Sequence, residues 1–317
     1  MARYLVTGGA GFIGSHLCDE LIATGHEVSV LDNLSTGKVA NLPREVEFFA
    51  GDVADQISVQ HAARNVDGIF HLAAVASVEK SNHAWSATHR TNLFGSVTVF
   101  EAACDSRPDS PLPVVYASSA AVYGASTSAA LSEEHPTSPL SAYGADKLAT
   151  ELHARVGGLT HALRTTGLRF FNVYGPRQDP HSPYSGAISI LLDRILNRQS
   201  LTVHGDGKQS RDFIYVGDVT RFLIAAMNKA SVDAPVLNVC TGTQTSILNL
   251  INTLSLVFGL PADLNFAPAR QGDIRHSCGN PEAATRVLEI SATIDLANGL
   301  RCTHAYALSD TYRALAS

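Results

Sequence analysis

Directly after the short apolar run Arg3–Thr7 the chain reads GGAGFIGSH, with Gly8, Gly11 and Gly14 at intervals of three and a helical apolar pattern starting at Phe12. Few residues separate an extended segment from a helix here, and glycine is the residue that permits it. The triplet allows a tight turn, close backbone approach to a pyrophosphate and close helix-on-sheet packing, while the helix N-terminus supplies partial positive charge. The spacing is GxxGxxG, not GxGxxG, so the glycines alone do not decide the matter. Asp32 ends the next apolar run, 18 residues after Gly14. A carboxylate there can accept both hydroxyls of a ribose and repels a 2′-phosphate, which favours NAD over NADP. Asn33, Thr36 and Gly37 continue the same rim. Asp52, closing the third run, can meet an adenine amine or stand as a solvated strand-end acid.

The rest of the first half repeats the alternation. Strand patterns at 3–7, 27–32, 46–52, 68–74, 113–119 and 166–173 are separated by helical patterns beginning near Phe12, Ser58, Thr91 and Tyr143. Alternating strands and helices predict βαβ units in an α/β, doubly wound parallel sheet of the Rossmann type. After Val173 the texture changes. YGPRQDPHSPYSG (174–186) is a proline- and glycine-rich boundary. Helices at 187–198 and 245–259 and strands at 201–205 and 237–242 then predict a second, smaller α/β lobe closing over the carboxyl edge of the sheet. The expected division is 1–173 for the dinucleotide and 174–317 for a substrate, with segments free to interleave.

Composition narrows the function classes. With 45% hydrophobic and 16% charged residues the chain can bury a sizeable core, and a net charge of −6 argues against a general nucleic-acid or membrane-surface binder. The N-terminus lacks the apolar core of a signal peptide, and no stretch approaches the length of a membrane span. Five scattered cysteines without a CxxC pair, and histidines without an HExxH spacing, predict reduced thiols, a cytoplasmic setting and no metal site.

The reacting groups are sought where the strands end. YASSAAVYG (116–124) leaves the fifth strand at that edge with Ser119. In SAYGADKLATE, Tyr143 and Lys147 stand four apart on a helix, hence on one face. A phenol titrates near pH 10 and needs a nearby positive charge to act as a base near neutrality; Lys147 and an oxidised nicotinamide are the two sources. Tyr143 then takes a proton from an alcohol whose carbon gives a hydride to NAD, and Ser119 holds the oxygen. Singly these residues also read as a strand-end cap, a packed aromatic and a solvated lysine. Their order after a dinucleotide fingerprint is what joins them.

TGGAGFIG, DNLSTG, HLAA, YASSAAVYG, YGADK and RFFNVYGPRQ resemble the extended short-chain dehydrogenase/reductases, in particular the UDP-sugar 4-epimerases. The similarity runs from residue 3 to about 290 and includes GDGKQSRDFIYVGDV and ARQGDIRHS. By that resemblance Tyr143 is the base, Lys147 its tuner and a ligand of the nicotinamide ribose, and Ser119 the partner of the substrate hydroxyl. Phe12 and Ile13 would line the pyrophosphate, Asp52 and Val53 flank adenine, and Leu72, Ala73, Ala74 and Ala76 back the cofactor, with Asn92 in contact. The second lobe would hold a nucleoside diphosphate. Asn172, Arg211 and Arg270 would reach its phosphates and Asp273 its ribose, and the backbone at Val203 and His204 would meet uracil. Arginines fork onto phosphate oxygens and a carboxylate suits a ribose diol. Two departures stand out: Asp146 occupies a place often held by serine and is expected to point off the Lys147 face with little effect, and Ala76 replaces a lysine.

The resemblance also separates reactions. Related 4,6-dehydratases carry an Asp–Glu pair where this chain has Ala120 and Ala121, and decarboxylases a glutamate at Ala121, so neither elimination nor decarboxylation is expected. Epimerisation of UDP-glucose and UDP-galactose through a 4-keto sugar remains. Ser277, small where some relatives are bulky, predicts room for UDP-N-acetylglucosamine and its epimer. The rival readings are a UDP-glucuronate 4-epimerase and a non-catalytic NAD-binding regulator; the intact Ser119, Tyr143 and Lys147 speak against the latter. Helices near 91–104 and 143–156 are the expected faces of a homodimer.

Overall fold

A computed structural model of the 317-residue chain describes residues 1–126, 130–179, 186–269 and 274–309. Its centre is a seven-stranded, wholly parallel sheet. The strands β1 (Arg3–Thr7), β2 (Glu27–Asp32), β3 (Glu47–Ala50), β4 (Gly68–His71), β5 (Val114–Ser119) and β6 (Thr165–Phe170) are joined by an edge strand, Val236–Val239. Across the sheet the order is Val236–Val239, β6, β5, β4, β1, β2, β3. The chain order reverses between β1 and β4, and that reversal opens a crevice at the carboxyl ends where doubly wound sheets bind ligands.

Strand alternation divides the core into two layers. Val6, Val30, Phe70, Val115 and Leu168 face α1 (Phe12–Ala23) and the helix Val216–Met227, which contributes Val219, Phe222 and Leu223. Their neighbours Leu5, Leu31, Ile69, Val114 and Tyr116 point the other way, onto α2 (Gln56–Ala62), α5 (Gly95–Ser106) and α6 (Ala142–His161). The short helices α3 (Val78–His83) and α4 (Trp85–His89) precede a π-helical turn, Arg90–Phe94, that leads into α5.

Two differences from the sequence expectation matter. The run 166–173 is not one strand: it leaves the main sheet after Phe170, and Asn172–Tyr174 pairs instead with Phe213–Tyr215 in the second lobe. The strand near 237–242, expected in that lobe, lies beside β6 with Leu237 opposite Leu168. Leu237, Asn238 and Val239 are all buried there, as in a parallel sheet covered on both faces, and Val216–Met227 supplies the crossover that returns the strand to it. The remaining lobe packs Ile188, Leu191, Leu201, Val203, Phe213, Leu250, Ile251 and Leu254 into a core of its own. No helix among the described residues is long and apolar enough to cross a membrane.

Candidate active site

A cleft of about 870 Å³ runs along the carboxyl edge of the sheet between the two lobes. Gly8 turns there with φ +70°, and a Cβ on Gly14 would lie 2.3 Å from the Gly8 carbonyl oxygen, so α1 can start against the turn only with glycine at that point. Gly8, Gly11, Phe12, Ile13 and Gly14 all line the cleft, and no side chain caps α1 at Gly11. Its first amides therefore remain available for an anion.

Asp32 is buried at the β2 end, where Oδ2 accepts from the Ala10 amide at 3.0 Å and Oδ1 from Leu34 at 2.8 Å. Burial raises its pKa, and those two amides oppose the rise. Asp32 lines the cleft, and each oxygen has acceptor capacity beyond these bonds, as a ribose diol requires. Asn33, Thr36, Val53, Leu72, Ala73, Ala74 and Ala76 line the same wall. The uncapped helix start and the half-used carboxylate fit NAD.

Three expected cofactor residues serve from behind this wall. Gly37 packs against Ala10 and the Asp32 carboxylate. Asp52 takes hydrogen bonds from Asn33 Nδ2 at 3.1 Å and from the Ala54 amide at 2.9 Å, which makes it a brace for the rim and not part of the lining. Asn92 is buried and holds the backbone of Val75 through both its amide atoms, at 2.8 and 3.1 Å. Val75 lines the cleft in its place.

At the other end of the cleft β5 and α6 converge. Ser141 caps α6, its Oγ accepting from the Gly144 amide at 3.1 Å. A Cβ on Gly144 would come within 2.7 Å of the Ala121 carbonyl, so this glycine lets the helix start close to the end of β5. Tyr143 and Ser119 consequently line one pocket together with Ala120 and Ala121. Burial raises the pKa of the Tyr143 phenol, and a hydrogen bond with Ser119 pulls it back. Lys147 lies underneath, buried, with Nζ 5.9 Å from the centre of the Tyr143 ring and 2.7 Å from the Ala117 carbonyl. Burial brings its pKa down to about 8, opposed by Asp146 and then Glu151.

Asp146 departs from expectation. It is turned inward and buried, takes a hydrogen bond from His89 Nδ1 at 2.8 Å, and contributes to the field at Lys147. Adjacency on a helix separates two side chains by about 100°, which still leaves both inside when α6 is covered by α4 and the sheet.

In the second lobe Asn172, Arg211 and Ser277 line the cleft. Arg270 and Asp273 lie outside the described residues. Val203 is a core residue paired opposite Phe266, and neither it nor His204 is in the lining; the His204 carbonyl accepts from Gln209 Nε2 at 2.8 Å.

Sequence reading missed several cleft residues: Lys38, Asn41, Lys80, Thr91, Arg177, Gln178 and Tyr306. Lys38 directly follows the Asn33–Gly37 rim and Arg177 sits in the YGPRQ boundary, so loop position was the available signal. Tyr306, near the far end of the chain, carried none.

The NAD dependent epimerase/dehydratase family model matches residues 4–240. A UDP-glucose 4-epimerase of Mycolicibacterium smegmatis is 36% identical over 308 residues, covering 95% of this chain and 97% of the relative. The solved UDP-glucose 4-epimerase of Thermotoga maritima with UDP-glucose superposes with a TM-score of 0.92 at 34% identity, covering 99% of this chain and 100% of that one. A UDP-N-acetylglucosamine 4-epimerase of Methanobrevibacter ruminantium, in complex with UDP-N-acetylmuramic acid, gives 0.90 at 34%, covering 96% and 97%. With the glycine turn, Asp32 and the Tyr143–Lys147 pair sharing one cleft, these matches over most of the chain show that it belongs to the NAD dependent epimerase/dehydratase family.

Proposed function

We propose that the chain is a UDP-sugar 4-epimerase that oxidises its substrate at C4 and reduces the 4-keto sugar on its other face. The observation that carries this reading is the meeting of Ser119 and Tyr143 in the cleft that the glycine turn and Asp32 line. NAD, when bound, accepts the C4 hydride and returns it. Tyr143 Oη takes the C4 hydroxyl proton and later gives it back, Ser119 Oγ orients that oxygen, and Lys147 supplies positive charge beneath the phenol. Ala120 and Ala121 border the same spot and supply neither the acid nor the base that elimination of water from the keto sugar needs.

Residues 1–173, with the returning strand, hold the dinucleotide, and 174–317 hold the UDP-sugar. Arg211 and Asn172, with Arg270, bind the diphosphate, and Asp273 the uridine ribose. Firm nucleotide binding with few sugar contacts lets the keto sugar rotate. Ser277 is small and lines the cleft, and one structural relative is a UDP-N-acetylglucosamine 4-epimerase, which together support acceptance of N-acetylated sugars. The enzyme acts as a homodimer in the cytoplasm.

Purified protein incubated separately with UDP-glucose, UDP-galactose and their N-acetylated counterparts is expected to yield the C4 epimer of each. Recovery of every sugar unchanged would reject the proposal.

A further inference from the structure

Lys147 is sealed under Tyr143 with one close partner, the Ala117 carbonyl at 2.7 Å. A single carbonyl dipole does not offset the desolvation of a full charge; a nearby counter-charge must contribute. Two carboxylates on α6 are candidates, and they are not equivalent. Glu151 is already committed: its oxygens take the Arg169 guanidinium at 2.9 and 2.7 Å, and one also accepts from Ser118 Oγ at 2.5 Å. It raises the pKa of Lys147 as well, though after Asp146.

Asp146 has no such partner. Its Oδ1 meets His89 Nδ1 at 2.8 Å, while Oδ2 is buried with no hydrogen bond. A carboxylate only accepts, so Nδ1 carries the proton and His89, whose side chain is 52% exposed, orients the group from α4. An unpaired buried carboxylate oxygen costs stability, and its presence in a native fold calls for a role.

We propose that Asp146, oriented by His89, is a positioning residue of the hydride-transfer site, its carboxylate holding the Lys147 ammonium in charged form beneath Tyr143. The inference rests on the assignment of Tyr143 and Lys147 made above. The other titratable groups near the pair do not replace Asp146. His71 on β4 stays neutral near pH 7, because burial lowers its pKa to about 3. Tyr116 on β5 is pushed well above 10 by burial and by Glu151. Arg169 on β6 is engaged with Glu151. Asp146 heads the groups that raise Lys147 against its burial.

The test compares pH profiles of kcat/KM for UDP-glucose in the wild type, Asp146→Asn, Asp146→Ser and Asp146→Glu, with Tyr143→Phe as control. Removing a negative charge eases the loss of every proton nearby, so both limbs of the profile should move toward acid by about one pH unit in Asn and Ser. Asp146→Glu should bring them back. The phenolate absorbance of cofactor-free protein, taken as the difference from the same background carrying Tyr143→Phe, should show the Tyr143 step moving in the same direction without any turnover. If Asp146→Asn does not fold, Asp146→Ser carries the same expectation. Reduced activity with unmoved limbs and an unmoved phenolate step, alongside an inactive Tyr143→Phe, would overturn the role of Asp146 alone. An active Tyr143→Phe would overturn the base assignment, and this inference with it.

Discussion

Lys147 Nζ donates to the carbonyl of Ala117 at 2.7 Å, which ties the lysine of α6 to the strand that presents Ser119 two residues later. The lysine thus secures the approach of helix to strand as well as supplying charge. Lys147→Met removes both and is expected to lower kcat by about 10²–10⁴, with Tyr143→Phe falling by a comparable factor. Initial rates of UDP-galactose conversion check this, and a Lys147→Met enzyme with wild-type turnover would contradict it.

Gly14 has no room for a side chain. An added methyl would lie 2.3 Å from the Gly8 carbonyl oxygen and 2.7 Å from the Gly9 Cα. Gly14→Ala should therefore displace α1 from the turn, abolish retention of NAD and cost about 1–3 kcal/mol of stability. Cofactor content after gel filtration and denaturant unfolding report the two effects separately.

His71 makes the fold sensitive to acid. It is buried between Thr7 Oγ1 at 2.8 Å and Ser96 Oγ at 3.0 Å, and its pKa falls from the ordinary 6.5 to about 3. Between those values the unfolded chain binds the extra proton and the native one does not, so stability is present above pH 6.5 and lost as pH falls. The slope is at most about 1.4 kcal/mol per pH unit. His71→Gln should flatten the decline between about pH 4.5 and 6.5 in urea unfolding; an equally steep decline would assign it to other groups.

Ser277 tests substrate width. Ser277→Tyr should lower kcat/KM for UDP-N-acetylglucosamine at least about tenfold relative to UDP-glucose, because a clash discriminates more sharply than a lost contact. Parallel loss for both sugars would mean that this position does not face the acetamido group.

Leu152, Val156 and Leu159 stand 57%, 53% and 76% exposed along one side of α6. Three apolar side chains at helical spacing on an open surface are the observation behind the proposed homodimer. Leu152→Glu combined with Leu159→Glu should convert it to a monomer in sedimentation velocity, with little change in monomer stability. A wild type that is already monomeric at micromolar concentration would refute the assembly.

Local chemistry wrote the parts of this protein that the sequence reveals. The glycine spacing, Asp32 at a strand end and the four-residue step from Tyr143 to Lys147 are short-range facts, because turns, strand ends and helix faces are set by residues a few positions apart. The tertiary structure alone decided that Val236–Val239 completes the first sheet, that Asn92 and Asp52 brace the cleft from behind, and that Asp146 turns inward to meet His89. Each depends on which surfaces come together across long separations in the chain. Burial, which sets both the packing and the charge of these groups, exists only once those surfaces have met.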